Sequence, residues 1–298
     1  MSYNAEISRA NPSCILFVID QSGSMQDVMN PTNVQQMDAP MTVDGRTYTQ
    51  TASGPTKAQE VSDVINRWLR ELVLKCTKSE GPRDYYHVGV IGYGAQVGPA
   101  FSGSLVGKEL VPISEIANSP ARIEDRTKKV PDGAGGLVDQ TVRFPIWFDP
   151  VADNGTPMCQ GLSRAHPILS QWVTQHMSSF PPTIIHITDG ESTDGDPTSA
   201  AENIRKLATN DGNVLLFNLH YSSNRATPIS YPDNETGLPD QYAQMLFRIS
   251  STLPDHIREG ARQDGYRVSE VSRGFAFNAN IVELIKFINI GTHPSNLR

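Results

Sequence analysis

Short runs of apolar residues stand out along the chain, and polar residues do not alternate with apolar ones within them. They are CILFVI (14–19), HVGVIGYG (87–94), TIIHIT (183–188) and VLLFNLHY (214–221), with a shorter candidate, GFAFN (274–278), near the end. A strand covered on one face alternates apolar and polar residues, whereas a strand covered on both faces is apolar throughout. The runs therefore predict strands of a parallel sheet that is buried on both sides.

Between these runs, apolar residues recur at intervals of three and four, the spacing of a helix with one buried face. The clearest case is 57–76, where Thr56 and Gln59 also form the pattern of a capping box. Further helices are predicted at Gln160–Met177, Ser199–Ala208, Tyr242–Ser251, 255–264 and Ile281–Ile288. Pro167 is expected to kink or divide the first of these. The alternation predicts an α/β fold: a doubly wound, mostly parallel sheet with helices on both faces.

Three polar stretches interrupt this pattern, at about 26–55, 101–150 and 222–240. They are longer than ordinary connections in a compact domain and are typical of functional loops. In the first, VDGRTYT predicts a short hairpin with Asp44 and Gly45 at its turn. Since no change of composition marks a linker, we predict that 1–298 form a single domain with long loop insertions and a core at about 13–290.

Composition and charge narrow the class of protein. The formal net charge is −7 and the longest basic run is Lys128–Lys129, which disfavours nucleic acid and anionic membranes as partners. No apolar segment is long enough to cross a bilayer, and the N-terminus lacks a signal-peptide pattern, so we expect a cytoplasmic protein. Cys14, Cys76 and Cys159 are widely spaced without a CxxC motif, and we expect them to be buried rather than bridged.

The first predicted strand ends in DQSGSM, so that Asp20, Ser22 and Ser24 follow at intervals of two residues. In an open parallel sheet, ligands bind beyond the carboxyl ends of the strands. Gly23 allows the loop to turn tightly between the two serines. A carboxylate and two hydroxyls are oxygen donors of the kind that Mg²⁺ prefers. The sequence therefore predicts a metal site at this edge.

Two further loops are expected at the same place. The strand TIIHIT is followed by TDGES, which puts Asp189 at the carboxyl end of that strand. The segment NGTPM (154–158) offers the hydroxyl of Thr156 just before a helix that begins near Pro157. Because the carboxyl ends of parallel strands lie at one edge, three distant loops are expected to meet over one cation.

Taken together, the three loops resemble the metal-ion-dependent adhesion site (MIDAS) of the von Willebrand factor A (vWA) family. DQSGSM is similar to its DxSxS motif, and GTPM and ITDGE to its threonine and aspartate loops, in the same order along the chain. The resemblance covers roughly 13–25, 56–100, 154–220 and 266–290, and leaves 26–55 and 101–150 unexplained. It implies a vWA fold, similar to standalone cytosolic bacterial vWA proteins of the tellurite-resistance type.

This resemblance also implies a role for each site residue. Ser22 and Ser24 would bind Mg²⁺ directly, with Mn²⁺ or Ca²⁺ as substitutes. Asp20 and Asp189 would act mainly through bound water. Thr156 would bind directly in one state and through water in another. The remaining coordination position would take an Asp or Glu carboxylate from a partner protein.

In some relatives, a change of ligation between the threonine and the aspartate moves the last helix, here Ile281–Ile288. Relatives of this kind accompany AAA+ ATPases, or the kinases and phosphatases of stress operons. The resemblance thus implies an adaptor or regulator in a bacterial multi-protein system, one that binds its partner through the metal.

Two other functions stay open on the sequence alone. A metal-dependent hydrolase or phosphatase would use Asp20 as a nucleophile, although no DxD pair accompanies it and no motif places a base or lysine near the ion. A structural subunit with a vestigial metal site is the other. Since GxSxG, GxxxxGK[ST] and GxGxxG are all absent, we do not expect an enzyme. Asp194 and Asp196 are interpreted as turn and N-cap residues, and the histidines as core or rim residues.

Overall fold

A computed structural model describes residues 3–28, 41–43, 46–48, 54–131, 136–222, 226–279 and 286–289. The strands are β1 (Ser13–Asp20), β2 (Met41–Val43), β3 (Arg46–Tyr48), β4 (Thr77–Lys78), β5 (Gly81–Pro82), β6 (Tyr86–Tyr93), β7 (Val97–Pro99), β8 (Val111–Pro112), β9 (Arg122–Pro131), β10 (Leu137–Ile146), β11 (Thr183–Thr188), β12 (Leu215–His220), β13 (Ile229–Ser230) and β14 (Phe275–Phe277). The α-helices are α1 (Lys57–Cys76), α2 (Ile113–Asn118), α3 (Met158–Gln175), α4 (Thr198–Lys206), α5 (Gln241–Ile249) and α6 (Asp255–Gln263), and residues 286–289 are also helical.

The central sheet has the strand order β13-β14-β12-β11-β1-β6-β7, with β8 also pairing to β6. Its five inner strands, β14, β12, β11, β1 and β6, run parallel. The short strands β13, β7 and β8 are antiparallel to their neighbours. The prediction of an α/β fold with a mostly parallel sheet is therefore confirmed, and all five apolar runs form its inner strands.

Strand β1 lies between two separate hydrophobic cores. Its alternate residues Ile15, Phe17 and Ile19 pack in the same cluster as the buried side chains of α1. The ring of Phe17 meets the ring of Trp68 edge-on, at 5.1 Å between centroids. The residues between them, such as Leu16, pack in a second cluster with α3, α4 and α5. Helices therefore cover β1 on both faces, which explains why the run has no polar position.

Helix α1 begins and ends where the sequence pattern predicts. The Thr56 hydroxyl accepts a hydrogen bond from the Gln59 amide at 3.2 Å, and the Gln59 side chain accepts one from the Thr56 amide at 2.9 Å. This reciprocal capping box satisfies two backbone groups that would otherwise lack partners, a contribution of about 1 kcal/mol.

Helix α3 departs from the prediction at Pro167. The proline lies inside one continuous helix, so it does not divide the segment. Leu162, Ala165 and Leu169 are all completely buried on the same side. Their packing against the sheet offsets the backbone hydrogen bond that proline removes.

The insertions contain structure of their own. In the first, β2 and β3 pair as the predicted hairpin, with Met41 opposite Tyr48, while the Asp44–Gly45 turn lies outside the described residues. In the second, β9 and β10 form a ten-residue antiparallel ribbon. The predicted helix Ile281–Ile288 lies outside the described residues except for 286–289.

The structure also bears on the expected burial of the three cysteines and on the search for a membrane-spanning segment. Cys14 and Cys76 are buried, as expected, but Cys159 is partly exposed, because it lies in the first turn of α3 at the edge of the sheet. In the part of the chain that the structure describes, every helix is too short or too polar to span a membrane.

Candidate metal centre

Asp20 ends β1 with its side chain almost completely buried. One carboxylate oxygen accepts a hydrogen bond from the Ser22 amide at 2.9 Å. The other accepts one from the hydroxyl of Thr188, the last residue of the adjacent strand β11, at 2.8 Å. Both oxygens are thus held in place from two loops. The contribution of Thr188 was not predicted from the sequence.

The two serines of DQSGSM lie together beyond β1. The hydroxyl oxygens of Ser22 and Ser24 are 3.0 Å apart, close enough to share one cation or one hydrogen bond. Ser22 is buried, whereas Ser24 is exposed. The loop forms a 3₁₀ turn at Gly23–Gln26, and the completely buried side chain of Met25 anchors it.

The Thr156 loop is hydrogen-bonded to the serine loop. The Gly23 amide donates to the carbonyl oxygen of Asn154 at 2.8 Å. On its other side, Thr156 exchanges two hydrogen bonds with Thr193, of 3.0 Å and 2.9 Å. Thr193 follows Asp189 in the loop after β11. Backbone contacts therefore join all three loops named by the sequence at the carboxyl edge of the sheet.

Asp189 lies beside a buried lysine that the sequence analysis missed. The Lys57 ammonium is 3.3 Å from an Asp189 carboxylate oxygen and 3.5 Å from one of Asp27. The Lys57 side chain is 1% exposed, whereas that of Asp27 is 57% exposed. Asp189 is thus the more shielded partner, and the lysine supplies a fixed positive charge at the edge of the site.

A signal for Lys57 was present in the sequence. Lys57 is the first residue of α1, directly after the Thr56 cap. A cation is unfavourable at that end of a helix, because the macrodipole places partial positive charge there. A lysine in this position is therefore expected to pair with an acidic residue from another part of the chain, although the sequence does not identify that residue.

The glycine of TDGES is required by close packing. Gly190 has a φ of +111°, a conformation that residues with a side chain rarely adopt. A Cβ at this position would be 2.4 Å from Nε2 of His220. That same nitrogen donates to the carbonyl oxygen of Asp189 at 2.8 Å. His220 therefore holds the backbone of the aspartate loop and leaves no space for a larger residue.

The electrostatics of the site favour a cation. Burial and, after it, the neighbouring Asp189 carboxylate together raise the pKa of Asp20 to about 6, against the lowering effect of the hydrogen bonds from Ser22 and Thr188. A buried carboxylate next to a second one is costly to ionise. A divalent cation at this position would relieve both the burial and the repulsion.

The donors present fit a hard divalent cation. Within the described residues, no group of three or more His, Cys, Asp and Glu side chains is placed to hold a metal ion. A metal bound at this edge would therefore depend on hydroxyl groups in addition to Asp20 and Asp189. Such an all-oxygen set suits Mg²⁺, whereas Zn²⁺ favours sulfur and nitrogen ligands.

Two further acids have structural roles. The Asp194 carboxylate accepts hydrogen bonds from the amides of Cys159 and Gln160, at 2.9 Å and 3.0 Å. It therefore caps α3, across the loop, rather than the helix that follows it in sequence. Asp196 accepts from the amide of Thr198, the first residue of α4, at 2.9 Å, although the N-cap residue of that helix is Pro197 and not Asp196 as predicted.

His186 lies in a buried network next to the site. Its Nδ1 donates to Oδ1 of Asn218 and its Nε2 accepts from the Tyr93 hydroxyl, each at 2.7 Å. Asn218 is oriented by its own donation to the Ser250 hydroxyl at 2.8 Å. This arrangement fits a neutral imidazole, and burial lowers the pKa of His186 to about 4. The histidine is a satisfied core residue, as expected.

We expect His186 to make stability depend on pH. The unfolded chain takes up a proton near pH 6.5 and the folded chain near pH 4, so stability falls as the pH is lowered through this window. At pH 5 the free energy of unfolding is therefore expected to be about 2 kcal/mol lower than at pH 7. Urea unfolding of the wild type and of His186→Gln at pH 7 and pH 5, with chelator present, measures it.

The difference in unfolding free energy between the two proteins should shrink by that amount at pH 5. Comparing them cancels the opposite pH dependence of Asp20, whose pKa is raised rather than lowered. An unchanged difference would mean that His186 is protonated equally readily in both states.

Comparisons with known proteins add little to this geometry. No family model matches the chain, and no curated protein sequence matches it. Similar solved structures include three N-terminal domains of the type V pili tip protein Mfa5 from Porphyromonas gingivalis, with 14% identity, 61% of this chain and 20% of that chain covered, and a TM-score of 0.30. Another is the PilB minor pilin from Streptococcus sanguinis, with 11% identity, 94% and 60% covered, and a TM-score of 0.38.

The chain thus spans only 20% and 60% of the lengths of these two proteins. Both TM-scores lie below 0.5, and similarity at this level assigns neither a family nor a function.

Proposed function

We propose that the chain is a vWA-type binding module that holds Mg²⁺ at a MIDAS and binds an acidic side chain of a partner protein through it. The observation that carries the proposal is the pair of Ser22 and Ser24 hydroxyls, 3.0 Å apart, beside the buried Asp20. Support comes from Asp189, in the loop directly after the neighbouring strand β11, and from the Thr156 loop, which is hydrogen-bonded to the serine loop.

The roles of these residues follow from their chemistry. The hydroxyls of Ser22, Ser24 and Thr156 would be neutral ligands, and Asp20 and Asp189 would supply the negative charge. Bound Mg²⁺ would supply a Lewis-acidic position for a carboxylate. The hydrogen bonds that Asp20 accepts from Ser22 and Thr188 hold its carboxylate in a fixed orientation, which reduces the cost of assembling the site.

The charges at the site favour an acidic partner. Asp20 and Asp189 together carry −2, which balances Mg²⁺, and the buried Lys57 adds +1. Asp27 opposes this charge, but its side chain is more than half exposed and is therefore screened by solvent. The loaded site would carry positive charge, and an Asp or Glu of the partner would neutralise it. An adaptor or regulator working with an AAA+ ATPase or a kinase–phosphatase system would use such a site.

One observation favours the alternative of a metal-dependent hydrolase. Phosphoryl-transfer sites use cations to balance phosphate charge, and Lys57 lies 3.3 Å from Asp189. Against it, Asp20 is almost completely buried and each of its oxygens accepts a hydrogen bond, which limits access to the carboxylate and lowers its nucleophilicity. Turnover of p-nitrophenyl phosphate that requires Mg²⁺ and is lost in Asp20→Asn would support the hydrolase instead.

We expect Ser22→Ala to weaken Mg²⁺ binding by roughly tenfold or more, because a ligand is lost from a site with only two carboxylates. Isothermal titration with Mg²⁺ measures the affinity directly. Ser199→Ala is the matched control, since Ser199 is exposed on α4 and is not one of the predicted ligands. If Ser22→Ala binds Mg²⁺ as the wild type does, the serine pair is not a ligand and the proposal fails.

The carboxylate-binding step is tested separately with Mn²⁺ as the probe. Addition of an excess of acetate, against chloride at equal ionic strength, should reduce the relaxation of water protons by the protein-bound Mn²⁺, because acetate displaces a bound water. Tight Mn²⁺ binding without any effect of acetate would indicate a metal site that does not recognise carboxylates, as in a structural subunit.

A further inference from the structure

A cavity lies at the edge of the sheet opposite the candidate metal centre. It has a volume of about 530 Å³ and lies where β12 begins, between the end of α4 and the start of α6. Leu215, Leu253 and Pro254 form part of an apolar wall, and Tyr3, Arg205 and Asn213 bring polar groups to it. Asp255 also lines the cavity, but its side chain is 95% exposed and its charge is paired with Arg258. This combination of an apolar wall with a few polar groups is typical of small-molecule sites.

Arg205 is the cationic group of this cavity. Its Nη1 donates to the carbonyl oxygen of Ile249 at 3.3 Å, and no salt bridge joins it to an acid in the part of the chain that the structure describes. Burial lowers the pKa of Arg205, and the nearby cation Arg273 lowers it further. The exposed Glu202 carboxylate on the same helix raises this pKa in turn, but it forms no salt bridge with Arg205. A half-buried guanidinium without a salt-bridge partner is costly, and an anionic ligand would offset this cost.

Asn213 provides an acceptor that lacks a donor. Its Nδ2 donates to the carbonyl oxygen of Arg205 at 2.8 Å, which fixes the orientation of the amide. Its Oδ1 is then buried without any hydrogen-bond partner. The Tyr3 hydroxyl lies beside it and donates weakly, at 3.3 Å, to the Asn213 carbonyl oxygen. A buried acceptor without a partner costs about 1–3 kcal/mol, but solvent does not reach this oxygen, so it is not a contact for a ligand in the cavity.

We propose that this cavity binds a small carboxylic acid that carries a branched apolar group, such as an N-acylated branched amino acid. The carboxylate would pair with Arg205, and the apolar group would pack on Leu215 and Leu253. A single guanidinium matches a carboxylate, which has one charge and two oxygens, better than a phosphate. The site is independent of the metal and of the function proposed above.

The test uses the full ¹⁵N-labelled chain and N-acetyl-L-leucine as the probe, in amide chemical-shift titrations. The wild type should show saturable shifts confined to residues around the cavity, and N-acetyl-L-leucinamide should bind at least about tenfold more weakly, because it lacks the charge that pairs with Arg205. This comparison needs only the wild type, so it does not depend on the folding of any variant.

Arg205→Met should reduce the affinity for the acid to that for the amide, and Arg164→Met, an exposed arginine on α3 that does not line the cavity, should leave it unchanged. Thermal melts verify that each variant is folded. The proposal is overturned if the acid produces no saturable shifts, if acid and amide bind equally, or if the shifts lie elsewhere on the protein.

Discussion

Asp20→Asn is expected to reduce Mg²⁺ affinity by roughly 100-fold while leaving the fold of the metal-free protein intact. The asparagine keeps an oxygen that accepts from the Ser22 amide, and the Thr188 hydroxyl can rotate to accept from the new NH₂ group. Asparagine removes the charge and keeps the shape, so it separates metal binding from packing. Alanine would leave both donors without a partner.

In the presence of chelator, the same variant should be more stable than the wild type, by up to about 3 kcal/mol at pH 7. The reason is that burial and Asp189 raise the pKa of Asp20 to about 6, so the ionised form is disfavoured in the folded state. Titration calorimetry with Mg²⁺ and urea unfolding in chelator measure the two effects.

Asp125→Asn, on the exposed face of β9, is the matched control and should change neither quantity. If Asp20→Asn binds Mg²⁺ with wild-type affinity, the carboxylate at the end of β1 does not act on a metal. Destabilisation in chelator would show instead that the charge of Asp20 is balanced by the folded protein alone.

Lys57→Met is expected to change stability and metal affinity in opposite directions. Without metal, the variant leaves Asp189 beside Asp20 without the buried ammonium, and we expect the free energy of unfolding to fall by about 3 kcal/mol. Loss of the positive charge should raise Mg²⁺ affinity by about tenfold, since Lys57 no longer repels the ion or shares Asp189 with it.

Urea unfolding in chelator and Mg²⁺ titration measure these effects, with Lys75→Met, in the exposed last turn of α1, as the control. A fall in both stability and Mg²⁺ affinity would mean that Lys57 acts by shaping the loops, and not by its charge. A further outcome is expected with acetate, which should bind the metal-loaded variant less well, because the site has lost a positive charge.

Local features of the sequence were enough to predict most of the elements. The five apolar runs form the inner strands, and the Thr56–Gln59 capping box begins α1 at the predicted residue, because strand burial and helix capping depend on residues close together in the chain. The same holds for the serine pair of DQSGSM, whose hydroxyl oxygens lie 3.0 Å apart, because the two residues are separated only by Gly23. In contrast, local reasoning allowed Pro167 to divide the helix, which it does not do, since packing of α3 against the sheet offsets the lost hydrogen bond.

The tertiary structure alone decided which distant groups meet. Thr188 donates to Asp20 from 168 residues away, and Lys57 reaches Asp189 from 132 residues away. Neither pairing has a sequence signature, because it arises only when β11 and α1 pack beside β1. The cavity at Arg205 and Asn213 has the same origin. Sequence by itself determined the inner strands, the longer helices and the oxygen donors of one loop, whereas the charges around those donors depend on long-range packing, which no local pattern encodes.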